Sequence, residues 1–172
     1  MGATRWYAPT AIIVFQLVWG YTEVKGARCY APIFSSYDMM TSNPKGDVSP
    51  GKKTVLIVED DQFLLRLYRV QIEKLGIDTW TATDGEKALL FLAKEPPHAI
   101  ILDLMLPGIS GFDVLSSVRE NKQWKDVPVF IVSNLGQKQD IERAKAMGVK
   151  EYTVKADMKL ADIIARVAKY LA

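Results

Sequence analysis

Five short strand-like runs recur from residue 54 onward, each followed by a stretch with helical spacing, and this alternation constrains the chain more than any other feature. TVLIV (54–58) is the clearest run: five residues rich in β-branched side chains with no polar alternation, the pattern of a strand buried on both faces of a parallel sheet. DTWTA (78–82), AIIL (99–102), VFIV (129–132) and YTV (152–154) read as the other four. Between them, Phe63, Leu64, Leu67, Val70 and Leu75 recur at helical spacing, with Gly76 where a C-terminal cap belongs. Further helices are predicted from an Asp84 N-cap to about Lys94, from Phe112 to about Asn121, from Gln137 to Met147 with Gly148 closing it, and from Leu160 to Leu171. Strands that run parallel need crossovers, and right-handed helical crossovers cover both faces of the sheet. The predicted fold class is therefore α/β: a doubly wound, five-stranded parallel sheet with five helices. Sites in such sheets form beyond the carboxyl ends of the strands, where the winding reverses.

The strand ends carry the chemistry. Glu59, Asp60 and Asp61 follow the first strand, Asp103 follows the third, Ser133 the fourth and Lys155 the fifth. Carboxylates gathered at one rim repel one another, and burial raises their pKa values unless a cation sits among them. Mg²⁺ suits that role because it takes a few carboxylates, keeps several waters and bridges to phosphoryl oxygens. Asp103 is placed to act as a carboxylate nucleophile that forms an aspartyl phosphate, with the Lys155 ammonium neutralising charge and the Ser133 hydroxyl bonding a transferred oxygen. Taken singly, each residue has a plainer reading. Asp60 and Asp61 alone read as helix caps, Ser133 as a strand-end residue, Lys155 as a solvated loop lysine and Tyr152 as packing.

The set VLIVEDD, IILDLMLPGISG, VFIVSN and EYTVK, in that order along residues 54–172, resembles the receiver domain of two-component response regulators. The resemblance implies the flavodoxin-like strand order 2-1-3-4-5 and makes Asp103 the phosphoacceptor. It implies that Asp60, Asp61 and Asp103 hold Mg²⁺ together with the backbone carbonyl of Met105. Ser133 and Tyr152 become the switch pair, in which the hydroxyl is drawn toward the new phosphoryl oxygens and the ring turns into the vacated space, and Lys155 becomes the phosphate-sensing lysine. The implied activity is phosphorelay signalling: phosphoryl acceptance from a histidine kinase, switching a surface that an output protein or a histidine phosphotransfer protein reads. The implied location is cytoplasmic. Such a protein is not an enzyme in the ordinary sense, although it catalyses its own phosphorylation and dephosphorylation.

The chain departs from the family pattern at Ala156, where proline in a cis peptide usually follows the lysine, and at Asn134, where a smaller residue is usual. A cis bond before alanine costs about 2.5 to 4 kcal/mol, so the Lys155–Ala156 geometry is left open by the sequence. Met105 and Leu135, both apolar and each two residues beyond a reactive group, predict a phosphoryl state shielded from water. A dehalogenase-like phosphatase also uses an aspartate nucleophile, but it needs a second acid where Met105 stands. A flavodoxin-like cofactor binder would not carry three acids in its phosphate loop. A receiver-shaped interaction module that accepts no phosphate is a further alternative, which Asn134 and Ala156 favour and the retained acids oppose.

Residues 1–53 read as an N-terminal extension, flexible or foreign to the native protein, ahead of a receiver-like domain over 54–172. The apolar run Ala11 to Trp19 is too short for a membrane span, and no clear cleavage site makes it a secretory signal. MMTSNPKGDVSPGKK (39–53) reads as a flexible lead-in, with Met39 or Met40 as a candidate start. The extension holds six Lys/Arg against three Asp/Glu, while residues 54–172 hold sixteen against seventeen. Neither has the dense basic stripe of a nucleic-acid binder, so the output is expected to run through protein contacts. One cysteine, Cys29, excludes an internal disulfide, and one histidine, His98, excludes a multi-histidine metal cage. His98 reads as an exposed turn residue, Gly108 and Gly111 as turn glycines, and Trp80 and Trp124 as packing residues.

Overall fold

The computed structural model describes residues 19–24, 27–32, 51–157 and 159–172. The chain forms two compact units, Met1–Asn43 and Pro44–Ala172. In the first, strands β1 (Trp19–Val24) and β2 (Ala27–Pro32) pair antiparallel, with Trp19 opposite Pro32 and Val24 opposite Ala27. The sequence reading has no strands there. Its other expectations for the extension, the run from Ala11 and the lead-in from Met39, fall almost wholly outside the described residues.

The second unit follows the alternation read from the sequence. Its strands are β3 (Thr54–Val58), β4 (Asp78–Ala82), β5 (Ala99–Leu102), β6 (Val129–Ser133) and β7 (Glu151–Val154). Its helices are α1 (Gln62–Glu73), α2 (Gly85–Leu92), α3 (Gly111–Glu120), α4 (Lys138–Ala146) and α5 (Leu160–Leu171). All five strands are parallel, in the order β4-β3-β5-β6-β7, which is 2-1-3-4-5 counted from β3. Every residue of β3, β5 and β6 is buried, the physical reason these strands read as unbroken apolar runs.

Period-2 alternation divides the strand side chains between two cores. Leu56, Val58, Ile100, Leu102, Val129 and Ile131 pack with Ala88, Leu92, Val114, Leu115, Val118 and Ala144 of α2, α3 and α4. Val55, Ile57, Ala99, Ile101, Phe130 and Val132 pack on the other side with Tyr68 and Ile72 of α1 and Ile163, Ile164 and Val167 of α5. Each fully buried aliphatic side chain contributes about 1.5–3 kcal/mol. The C-terminal glycines of α1 and α4, Gly76 and Gly148, both take positive φ, as their cap positions require.

One expectation is corrected here. The stripe Phe63, Leu64, Leu67, Val70 and Leu75 is not the buried face of α1: Phe63 is 71% exposed, and Val70 and Leu75 are also exposed. The helix turns Tyr68 and Ile72 inward, with Leu64 and Leu65 partly buried beside them. Apolar residues occur all round this helix, so spacing alone did not choose the face. The α2 helix also ends two residues before the predicted Lys94, at Leu92.

Candidate functional site

The crossovers bring four segments to the carboxyl rim of the sheet. Asp103 directly follows β5, and its backbone N–H still donates to the Val58 carbonyl of β3 at 2.9 Å, so the residue is held to the ladder. Its carboxylate is buried; Oδ1 accepts from the Met105 backbone N–H at 2.9 Å. Gly111, the first residue of α3, lies against this segment so closely that a Cβ there would stand 2.2 Å from the Asp103 carbonyl oxygen and 2.5 Å from Leu104 Cα. The reason for Gly111 is therefore close backbone approach, whereas Gly108, with φ +70°, is the residue that needs the left-handed region.

Lys155 opens a single 3₁₀ turn, Lys155–Asp157, immediately after β7. Its Nζ donates to Asp103 Oδ2 at 2.5 Å and to Glu59 Oε1 at 2.8 Å, so one half-buried ammonium bridges two buried carboxylates. Burial works against the charged lysine, but the hydrogen bonds to Asp103 and Glu59 outweigh it and hold the ammonium above its ordinary pKa. Burial dominates at Glu59 and raises its carboxyl, with the Asp103 charge acting in the same direction and Lys155 opposing. The Lys155–Ala156 peptide is trans, like every other peptide among the described residues.

Glu59, Asp60 and Asp103 each offer a carboxylate oxygen, all within 4.8 Å of one another. These three hard oxygen donors, one on an exposed side chain and two on buried ones, fit a small divalent cation better than any soft metal. The acid beside Asp60 in this cluster is Glu59, which the sequence reading placed on the rim but left out of the expected Mg²⁺ ligands in favour of Asp61. Asp61 is engaged elsewhere: it is the N-cap of α1, and its Oδ1 accepts from the backbone N–H groups of Phe63 at 2.8 Å and Leu64 at 3.1 Å. The string offers three acids in a row, and only the backbone, through the strand end at Val58 and the helix start at Gln62, separates them.

Ser133 ends β6 fully buried, and its Oγ accepts from the Leu135 backbone N–H at 3.4 Å. Tyr152, half-buried on β7, donates its hydroxyl to the Leu135 carbonyl at 2.6 Å. Both members of the expected switch pair are thus tied to one short segment after β6. Burial, followed by the charges of Asp140 and Asp103, raises the Tyr152 phenol. Met105 is 52% exposed, so its side chain stands out toward solvent.

The sequence reading also gave no role to Arg119 or His98. Arg119 donates to the backbone carbonyls of Met147, Lys125, Val127 and Gly148 at 3.0–3.1 Å, which ties the end of α3 to the segments entering β6 and β7. His98 is exposed, but its Nδ1 accepts the Thr54 backbone N–H at 3.0 Å while the His98 backbone N–H donates to the Thr54 carbonyl at 2.8 Å. No helix among the described residues is long and apolar enough to cross a membrane.

Comparison with known proteins agrees with this fold. The family model of the response regulator receiver domain matches residues 55–168. The polar-differentiation response regulator DivK of Brucella ovis is 32% identical over 103 residues, covering 60% of this chain and 84% of DivK. The DNA-binding dual master transcriptional regulator RpaA of Synechocystis sp. is 33% identical over 117 residues, covering 68% of this chain and 48% of RpaA. The chain thus spans about half the length, or less, of several curated relatives that it matches. Among solved structures, the Francisella response regulator 1452 receiver domain superposes with a TM-score of 0.62 at 28% identity, covering 70% of this chain and all of that one. The chemotaxis response regulator CheY4 of Vibrio cholerae, at 23% identity and a TM-score of 0.63, shares the fold. With the matched region running from β3 into α5 and the strand order 2-1-3-4-5 in place, this chain belongs to the response regulator receiver domain family of two-component systems.

Proposed function

We propose that the chain is a phosphorylation switch in which Asp103 accepts a phosphoryl group from a histidine kinase. The observation that carries this reading is the buried Asp103 carboxylate, with Lys155 Nζ 2.5 Å from Oδ2 and the carboxylates of Glu59 and Asp60 beside it. In the transfer, a carboxylate oxygen of Asp103 attacks phosphorus and the bond from phosphorus to the donor imidazole breaks. The electron pair of that bond stays on the imidazole nitrogen. Glu59, Asp60 and Asp103 would hold Mg²⁺, which when bound neutralises charge on the phosphoryl oxygens. Lys155 supplies a second positive charge from just beyond the end of β7, and the Ser133 hydroxyl is the donor available at the end of β6. Engagement of Ser133 alters the segment through Leu135, to which Tyr152 is bonded, and so carries the event to the surface beside β7.

In this reading the chain turns over no separate substrate; it catalyses its own modification and presents the result to an output or histidine phosphotransfer protein. A cytoplasmic location follows from the need for an ATP-using kinase. Incubation with acetyl phosphate and Mg²⁺, followed by intact mass, tests it. One phosphoryl adduct, labile to base, is expected on the wild type and none on Asp103→Asn. An adduct retained by that variant, or none on the wild type, overturns the reading.

A further inference from the structure

Helix α4 runs from the carboxyl rim, where it follows the Leu135 segment, back toward the amino rim, and its two ends are held very differently. At the far end Arg119 donates to the Met147 and Gly148 carbonyls, both at 3.0 Å, so the close of α4 is bound to α3. At the near end the Gln137 cap makes no side-chain hydrogen bond to the helix, and residues 138–142 include no buried side chain. Ala144 is the one buried residue of the helix. Packing supplies most of a helix's stability, so α4 is a lever fixed at one end and weakly held at the other. Between the ends stands Arg143, whose guanidinium carbon lies 4.1 Å from the centre of the Phe112 ring. Phe112 is buried in the core that holds Leu102 and Leu104, and it follows Gly111, whose N–H donates to the Leu104 carbonyl at 3.1 Å. The ring thus belongs to the floor on which the Asp103 segment rests, and the guanidinium ties the middle of α4 to that floor.

The segment that feeds α4 is the one on which engagement of Ser133 acts. Leu135 is bonded to both Ser133 and Tyr152, and the helix starts three residues later. A shift of Leu135 passes to the near end of α4, and the Arg143–Phe112 contact resists it. We infer that this contact is an autoinhibitory brake: it holds α4 in its resting position, and phosphorylation of Asp103 must break it to move the helix. The inference deepens the reading of Asp103 as acceptor and rests on it. A contact made only in the resting state lowers the population of the other state, and a ligand that requires the other state binds more weakly by the same factor. For a cation over an aromatic ring at a partly exposed site, that factor is about two to five.

Hydrogen exchange and ¹⁹F NMR of the full-length protein test the brake, with beryllium fluoride and Mg²⁺ as the phosphoryl mimic. Arg143→Met keeps an apolar stem and removes the cation. Its amides over 138–142 are expected to exchange about two- to fivefold faster than in wild type, with those of α1 and α5 unchanged. The mimic concentration at half-saturation is expected to fall by a similar factor. In a Phe112→Leu background, Arg143→Met is expected to add nothing, because the ring it acts on is gone. Unchanged exchange, faster exchange without tighter mimic binding, or a full further effect in the Phe112→Leu background overturns the brake and leaves Asp103 as acceptor. If Phe112→Leu does not fold, exchange and mimic binding in Arg143→Met alone decide. A wild-type protein that binds no mimic and takes no phosphoryl group from acetyl phosphate overturns the acceptor reading and the brake with it.

Discussion

At the amino rim of the sheet, Arg119 spends its guanidinium on four backbone carbonyls of the segments that enter β6 and β7, and His98 exchanges hydrogen bonds with Thr54 where β5 and β3 begin. At the carboxyl rim, Glu59, Asp103 and Lys155 satisfy chiefly one another. Both rims contain polar groups withdrawn from water, yet the first joins charge to the neutral backbone while the second sets side-chain charge against side-chain charge. A guanidinium with four of its five N–H donors committed to carbonyls has little left to offer a ligand. An ammonium shared between two carboxylates can be drawn off by a better partner, and the carboxylates can be taken over by a cation. The amino rim holds the fold, and the carboxyl rim keeps its binding capacity in reserve at some cost in stability.

The sharpest way to break this comparison is to remove each cation in turn. Arg119→Met strands four carbonyls, and about 2–3 kcal/mol of stability is expected to go, measured by urea unfolding, with no recovery on adding Mg²⁺. Lys155→Met leaves Glu59 and Asp103 facing each other without their ammonium. A smaller loss of about 1–2 kcal/mol at neutral pH is expected, and here Mg²⁺ should restore stability because it binds the folded acid cluster and not the unfolded chain. If Mg²⁺ rescues both variants or neither, the two rims do not differ in the way described.

The smallest effect is in pH. The Glu59 carboxyl is raised from 4.5, so its contribution to stability is fully present below that value and declines as pH rises through the folded pKa. The Lys155 ammonium is raised from 10.5, so its contribution is present below that value and is lost as pH climbs through its own raised pKa. Glu59→Gln should therefore gain stability relative to wild type as pH rises from 4.5 toward neutral. Equal pH profiles for the two proteins over that range would remove Glu59 from the account.

How much of the site was legible in the sequence follows from the same geometry. Asp103 and Lys155 could be read because each directly follows a strand, and Ser133 because it closes one, where an apolar run ends abruptly. The acids after β3 could not be assigned by inspection of the string, since three stand in a row and only the backbone decides among them. The strand's alternation carries Glu59 to the side of Val55 and Ile57, and the helix takes Asp61 as its cap. The buried face of α1 was hidden for a related reason: Phe63, Leu67, Val70 and Leu75 are as apolar as the residues that turned inward. Arg119 gave no signal at all, because its four acceptors are backbone carbonyls and every residue has one.

By itself, then, the sequence determined the layered α/β architecture, the five strands and the rim on which chemistry would collect. Those features follow from local rules, in which β-branched runs make buried strands, parallel strands need helical crossovers, and crossovers direct strand ends to one side. Tertiary structure alone decided which acids converge, which helix face is buried and that Arg119 ties the amino rim together. Such choices depend on distances between residues far apart in the chain: Lys155 meets Glu59 across 96 positions, and only the folded sheet brings their side chains within 2.8 Å.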